Sequence, residues 1–517
     1  MLLSTLERKL KIKIMLTLFV CMFATTVYQS IVSIAGPSII ADLGGFEYYA
    51  WLFSGFSLTS AVCAPFVGKL TKIYGPKKIM IPSLFIFLIA TILCGLSTSM
   101  FMLIFFRSIQ GIGLAGVLGV VWIMIALLWS PKERGKWLGA TAAGFTLAGL
   151  IGPFLGAYIT QFFGWRTAFF VVVPAILISM LLILKVLPRI EKNQSTTFDY
   201  LGAIFFTLFA SSFLFALSIF GIDTSRIFIY IGILFFISII SFGFFIYIEI
   251  KAKEDGFIDI TLFKDKYFSG GMIGNLIIPM QFVVYTIFVP LSLIGVYGFS
   301  PAKASIILII NAITVAIGAN IFGFLITKVK LQMWIALFGF TTNGLCTFLF
   351  GFTDLNLNFI ILIILVSIQG FAIPGAFQVF MVCIQNNLPQ EKIEIVTSSL
   401  QFSRVFGISL SGSILGGILI MSMINYEFEK PRSEIYDPDN ITSVEKIDEI
   451  KEKYINSNQF EFFETDLNIS RQNLMNGLRV VYYSAAITSI LGILCSVYIF
   501  YDASRRQPLE EDSIRNE

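Results

Sequence analysis

Apolar stretches of about 20 residues, each long enough to cross a bilayer as a helix, recur along nearly the whole chain between short polar connections. They fall at 14–36, 49–68, 79–97, 101–128, 137–159, 168–187, 199–220, 227–249, 268–294, 302–326, 332–352, 357–385, 396–423 and 477–501. The pattern predicts an all-α polytopic membrane protein with about fourteen transmembrane helices. One connection breaks the rhythm. Residues 424–476 are polar, and Asp448 with Lys451 and Glu449 with Lys453 stand at helical spacing. That segment reads as a solvated hairpin or a short helix covering one end of the bundle.

The polar positions assign sides. Arg8, Lys9, Lys11 and Lys13 precede the first span, Lys69, Lys72, Lys77 and Lys78 follow the second, and Lys132, Arg134 and Lys136 follow the fourth. Lys185, Arg189 and Lys192 end the sixth, and Lys251, Lys253, Lys264 and Lys266 follow the eighth. Alternate loops carry only isolated cations such as Arg166, Arg226 and Lys303. Basic loops stay in the cytoplasm, so an even number of spans puts both termini there. The first apolar run is too long for a typical signal peptide and reads as a retained helix.

The halves repeat. Ser-Ile-Gln-Gly at 108–111 recurs at 367–370, with Val366 where the first copy has Arg107. The loop 131-PKERGKWLGA-140 has its counterpart in 389-PQEKIEIVTS-398, and 68-GKLTKIYGPKK-78 in 323-GFLITKVKLQ-332. Spans one to six therefore map onto nine to fourteen, leaving seven and eight as an inserted pair. The division that follows is a six-helix bundle in 1–190, an inserted pair in 191–266, a second bundle in 267–501 including the loop 424–476, and a tail in 502–517.

Composition narrows the chemistry. With 56% hydrophobic and 13% charged residues, the chain lies outside the soluble range. Its net charge of +4 says little about partners, because sidedness matters more than the sum, and nucleic acid is not expected among them. There is no histidine, which removes the usual physiological pH switch and most zinc chemistry. The six cysteines lie in apolar segments without metal-ligand spacing and read as small buried hydrophobes; no metal or cofactor is expected. No Walker loop is present, which argues against an ATP-driven pump, and the chain does not read as an enzyme.

Polar groups within spans are costly and tend to face protein or water. Arg107 and Gln110 in the fourth span, Tyr28 and Gln29 in the first, Gln369 in the twelfth and Arg404 in the thirteenth are candidates for substrate or coupling sites. Asn275, Gln281 and Asn311 join them, as do Tyr285, Asn320, Gln378 and Gln401. Each has a structural alternative: an arginine bonding backbone carbonyls, or an amide tying two helices together. Gly149, Gly152, Pro153 and Gly156 in the fifth span would let that helix bend and approach a neighbour. The 54 phenylalanines and 18 tyrosines read mainly as lipid-facing bulk, with an apolar substrate path as the alternative.

Taken together, several motifs resemble the fourteen-helix drug:proton antiporter branch of the major facilitator superfamily (QacA/EmrB-like). They are 35-AGPSIIADLGG-45, 51-WLFSGFSLTS-60, Arg-x-x-Gln-Gly at 107–111, 149-GLIGPFLGA-157, 164-GWRTAFFVVVP-174, 258-IDITLF-263, 298-GFSPAKAS-305 and 402-FSRVFG-407. The resemblance implies two six-helix bundles plus two extra helices, a plasma-membrane secondary transporter working by alternating access, a small-molecule substrate in a lipid bilayer, and a monomer. It assigns Arg107 to proton or substrate handling, the Gly-Pro motif to export, and Gly68, Lys72, Gly75, Lys77 and Lys78 to a gating loop.

The chain departs from that pattern in ways that bear on coupling. Lys72 stands where the family has an aspartate, and Tyr28 where many relatives have an acid. No Asp or Glu falls in the middle of a span around the cavity: Asp42 and Glu47 lie in the first outer loop, Asp199 and Glu249 at inner ends. The reading is efflux of small amphipathic compounds, coupled to protons through a peripheral acid. A cavity with Arg107, Arg404 and no carboxylate favours anionic, zwitterionic or neutral substrates. Alternatives are export of an endogenous lipid, siderophore or peptide without proton coupling, an uptake permease, and a non-transporting sensor. A membrane glycosyltransferase using Asp42 and Glu47 fits poorly with the duplication.

Overall fold

The computed structural model describes residues 7–129, 131–188, 199–218, 227–252, 260–328, 333–354, 358–387, 393–427, 444–456 and 460–515. The first half comprises α1 (Arg8–Leu43), α2 (Tyr49–Tyr74), α3 (Pro76–Gly95), α4 (Met100–Leu128) and α5 (Pro131–Phe163), then α6 (Trp165–Phe170) and α7 (Val173–Val186). The last two form a single span broken before Pro174. An inserted hairpin follows, α8 (Tyr200–Ser218) and α9 (Ile227–Ala252). The second half comprises α10 (Lys266–Val283), α11 (Val289–Leu291), α12 (Pro301–Lys328), α13 (Met333–Phe350), α14 (Phe359–Asn387), α15 (Ile393–Glu427), α16 (Val444–Asn456) and α17 (Phe460–Arg515).

Among the described residues thirteen helices are long and apolar enough to cross a membrane; the expected fifth span lies in α5, whose apolar part, Leu147–Phe163, is shorter. Glycines and polar residues fill the rest of α5, which lowers its hydropathy without breaking the helix. The duplication is realised in three dimensions. The packing of α1 on α5, α2 on α4, and α3 on α4 recurs as α10 on α15, α12 on α14, and α13 on α14.

Two features depart from the linear reading. The polar segment 424–476 is helical over most of its described part, because α17 begins at Phe460 rather than near 477. The amphipathic α16 turns Ile447 and Ile450 inward, and Tyr454 donates its hydroxyl to Asp466 of α17 at 3.0 Å. The second departure lies in the ninth span, where α10 continues through two π turns, Val284–Phe288 and Ser292–Val296, on either side of α11. Pro290 supplies no N–H, so the helical ladder cannot stay regular there. Tyr49 and Tyr482 donate their hydroxyls to the carbonyls of Ile287 and Phe288 at 3.2 and 3.4 Å.

The two ends of the bundle differ. At the end carrying α16, one apolar core unites the first half with Val283–Val296 of the second half, with Leu362, Val366, Leu415 and Leu419, and with Ile447 of α16. At the opposite, basic end the second half keeps a separate core, built from Phe268, Met272, Phe340, Phe380, Ile384 and Leu400. The halves thus share one core at the α16 end, while the second half's basic-end core contains no residue of the first half among the described residues.

Two lateral seams hold them. Along one, α5 lies on α12, with Gly149 facing Ala312; along the other, α2 lies on α15, where Ser409 donates to the Ser54 carbonyl at 3.2 Å. The inserted hairpin covers this second seam: Ala210 and Leu214 of α8 pack with Ala61, Val62 and Phe406. Phenylalanines 206, 209, 213, 402 and 406 stack across it. Part of the aromatic load thus seals a joint between the halves.

The Gly-Pro motif of α5 works by close approach. A Cβ on Gly152 would lie 2.3 Å from Ser30 Cβ, and one on Gly156 would lie 2.9 Å from the Ile31 Cα of α1. Because Gly156 meets backbone, a Gly156→Leu protein must push α5 off α1. It is expected to lose about 1–3 kcal/mol, measured as a lower melting temperature of the purified protein in neutral detergent.

Candidate functional site

Ser99 caps α4 by accepting from the Met102 N–H at 3.2 Å, and the helix then descends from the α16 end. Two turns in, Arg107 is only 1% exposed. Its Nε donates to the Leu52 carbonyl of α2 at 3.3 Å, and one Nη donates to Gln110 Oε1 at 2.9 Å. Gln110 then donates from Nε2 to Thr91 Oγ1 of α3 at 2.6 Å, and Thr91 donates to the Phe87 carbonyl at 2.6 Å. The guanidinium carbon lies 4.4 Å from the Phe56 ring centre and 5.4 Å from that of Tyr28. Tyr28 in turn meets Phe87 and Phe169 edge-on. A buried cation thus rests on a carbonyl, an amide and two aromatic faces, with no carboxylate among these partners.

The second half keeps the amide and loses the cation. Gln369 donates to Thr347 Oγ1 at 3.3 Å, as Gln110 does to Thr91. Thr347 donates its hydroxyl to Gln281 Oε1 at 2.8 Å, and Gln281 Nε2 donates to the Ala485 carbonyl at 2.6 Å and to Ser489 Oγ at 2.8 Å. Where the first half has the Arg107 guanidinium, the Val366 carbonyl accepts from Asn311 of α12 at 2.6 Å. One chain of hydrogen bonds therefore ties α10, α13, α14 and α17 together. The two Ser-Ile-Gln-Gly copies hold equivalent structural joints, and only the first carries charge.

The other candidates separate from these clusters. Asn275 donates to the Gly271 carbonyl of its own helix at 3.0 Å. Gln29 is half-buried on α1, away from the Arg107 cluster's hydrogen bonds. Arg404 is half-buried on α15, its guanidinium carbon 4.9 Å from the Phe377 ring centre of α14.

In the gating loop, Gly75 has a φ of +85°, a conformation that lets α2 end and α3 begin at Pro76 without a connecting loop. Lys77 Nζ donates to the Leu184 carbonyl at 2.7 Å, so a cation sits on the C-terminal turn of α7. Lys78 is exposed and Gly68 half-buried, while the side chain of Lys72 lies outside the described residues.

Two acids at the α16 end, Asp42 and Asp354, are engaged. Asp42 accepts from Arg166 at 2.6 Å and from Trp165 Nε1 at 3.0 Å, and Arg166 also donates to the Ser97 carbonyl at 3.2 Å. In the second half, Arg479 donates to Asp354 at 2.5 Å and to the Thr353 carbonyl at 3.0 Å. An arginine on the last span of each half thus clamps the end of that half's third span. The side chain of Glu47 lies outside the described residues. Among the described residues no group of His, Cys, Asp or Glu converges as metal ligands would.

Thr91, Thr347 and Ser489 escaped the sequence reading because hydroxyls are common in apolar helices, where they can bond their own backbone. The available signal was positional. Each threonine lies in the third span of its half, 19 residues before Gln110 and 22 before Gln369. Tyr49 carried no such signal, since its partner is a backbone carbonyl.

This architecture matches known transporters. A bacterial homologue of the human lysosomal transporter Spinster, in an inward-facing and occupied conformation, superposes with a TM-score of 0.62 over 96% of this chain and 98% of that one, at 16% identity. Multidrug resistance protein 3 of Bacillus subtilis (strain 168) is 31% identical over 394 residues, covering 75% of this chain and 76% of that protein. Multidrug transporter protein MdtP of the same organism is 30% identical over 423 residues, covering 79% and 77%. Residues 18–412 match the Major Facilitator Superfamily, and the chain belongs to that family of membrane transporters, which do not act as enzymes.

Proposed function

We propose that the chain exports small amphipathic compounds across the plasma membrane by alternating access, in exchange for protons. The observation that carries the transport mechanism is the division of the apolar core: the halves share one core at the α16 end and keep separate cores at the basic end. With the basic loops in the cytoplasm, this is an inward-open arrangement and both termini are cytoplasmic. The names of the two Bacillus relatives support efflux as the direction and drugs as the cargo.

In this reading 1–190 and 267–501 are the rocking bundles, 191–266 is a seam cover, and the protein works as a monomer. Arg107, with Gln110 and Tyr28, serves substrate or coupling through its fixed positive field; Gln281, Asn311 and Gln369 keep the second bundle rigid. Gly152 and Gly156 hold α5 on α1 within the first bundle, and Gly149 faces α12 where the halves meet.

A second reading, export without proton exchange, is favoured by Asp42, whose carboxylate is held by Arg166 and Trp165 rather than left to titrate freely. Inverted membrane vesicles separate the two. With an acridine pH probe and a panel of cationic, neutral and anionic amphiphiles, the expected result is uptake of an amphiphile that dissipates an imposed proton gradient. Flux that leaves the gradient intact selects the second reading. The absence of flux across the panel overturns both.

A further inference from the structure

The contacts of α15 leave one of its faces unexplained. Ser403 and Gly407 turn to α10, where Ser403 donates to the Met272 carbonyl at 2.5 Å and Gly407 abuts the Leu276 carbonyl. Phe402 and Phe406 turn to α8, and Ser409 and Gly412 meet Ser54 of α2. At 100° per residue, Gln401, Arg404 and Ile408 share a sector apart from these directions, the one in which Arg404 meets Phe377 of α14. That sector lies beside the second half's own basic-end core, against which Phe377 packs.

Two donors point there without acceptors. Arg404 Nε and Gln401 Nε2 are sealed from solvent and have no hydrogen-bond partner among the described residues. They stand one turn apart, so both can reach one group. The Phe377 ring stacks against the guanidinium and gives the site an apolar wall. Arg107 differs in kind, because its Nε and one Nη are already spent on Leu52 and Gln110. A buried donor left unmade is costly, and a guanidinium without a counter-charge is the side chain best suited to grip a planar or tetrahedral oxyanion.

We infer that Arg404 and Gln401 form the head-group subsite for an anionic amphiphile, taking a phosphate or carboxylate whose apolar tail lies along Phe377. This rests on the transport reading above and narrows its substrate class. Binding to the purified full-length protein in dodecyl maltoside tests it without requiring flux, so a failure of efflux would overturn the export reading and leave this measurement standing.

The probes are monododecyl phosphate, dodecyltrimethylammonium and inorganic phosphate, followed by equilibrium dialysis. Monododecyl phosphate is expected to bind wild type and to lose about tenfold in affinity in Arg404→Gln, the scale of one charge-assisted hydrogen bond. Arg404→Lys should restore part of that loss, since it keeps charge without the fork. Gln401→Ala should show a smaller drop with the arginine intact, and serves as the second variant if Arg404→Gln melts early. Displacement by inorganic phosphate at equal concentration would assign the site to a free oxyanion and overturn the amphiphile. Equal binding of the dodecyl phosphate to wild type and all three variants, or stronger binding of the ammonium amphiphile to wild type, would overturn the subsite.

Discussion

Arg107→Leu is expected to abolish transport and to destabilise the first bundle by about 3–6 kcal/mol. The estimate follows from two lost hydrogen bonds to a charged group, each worth about 1.5–3 kcal/mol. Without the guanidinium, Gln110 Oε1 and the Leu52 carbonyl lose their donor in a place that water does not reach. Arg107→Lys is the informative companion. An ammonium keeps the charge over Phe56, yet it cannot reproduce the planar fork that serves α2 and Gln110 together. Its melting temperature should fall less than that of Arg107→Leu while vesicle flux stays low. Lysine flux at the wild-type level would show that charge alone matters and that the α2 joint is dispensable.

The second large effect is expected from a cross-link at the α5–α12 seam. A Cβ built on Gly149 lies 3.6 Å from the Ala312 Cβ, within the range that a disulfide spans. A Gly149→Cys, Ala312→Cys double variant should therefore oxidise readily in the state described here. Because the two helices belong to different halves, the bond should hold the halves in this arrangement and stop flux almost completely, with recovery on reduction. The single variants, which cannot cross-link, should transport under oxidant and so separate locking from the cost of adding side chains. Full flux through the oxidised double variant would place the pivot of the motion at this seam and overturn the idea that the seam must open.

These experiments bear on features of unequal legibility. Hydropathy alone determined the all-helical, multi-span class, because a bilayer admits few other structures. Charge placed the basic loops on one end, and the Ser-Ile-Gln-Gly repeat revealed the duplication that the packing of α3 on α4 and α13 on α14 reproduces. The glycines of α5 were readable as close-approach residues, and Gly152 and Gly156 do meet α1 backbone or Cβ atoms. The buried cation at Arg107 was equally visible, since a charge in an apolar run announces itself.

Partners were not visible, because a hydrogen bond between distant spans leaves no periodic trace. Whether Arg107 lined a cavity or bonded carbonyls depended on where α2 and α3 lie around it, and the sequence kept both readings open. Thr91 and Thr347 look like ordinary apolar-helix hydroxyls until Gln110 and Gln369 reach them. The inserted α8–α9 hairpin was legible as extra, but its seat over the α2–α15 seam follows from the shapes of Ala210, Leu214 and Phe406. The sequence by itself thus determined the number, polarity and repetition of the helices, because water and lipid act on each segment separately. The tertiary structure decided which end is closed, which acids are already paired and which donors on α15 still lack an acceptor, because those depend on packing between segments far apart in the chain.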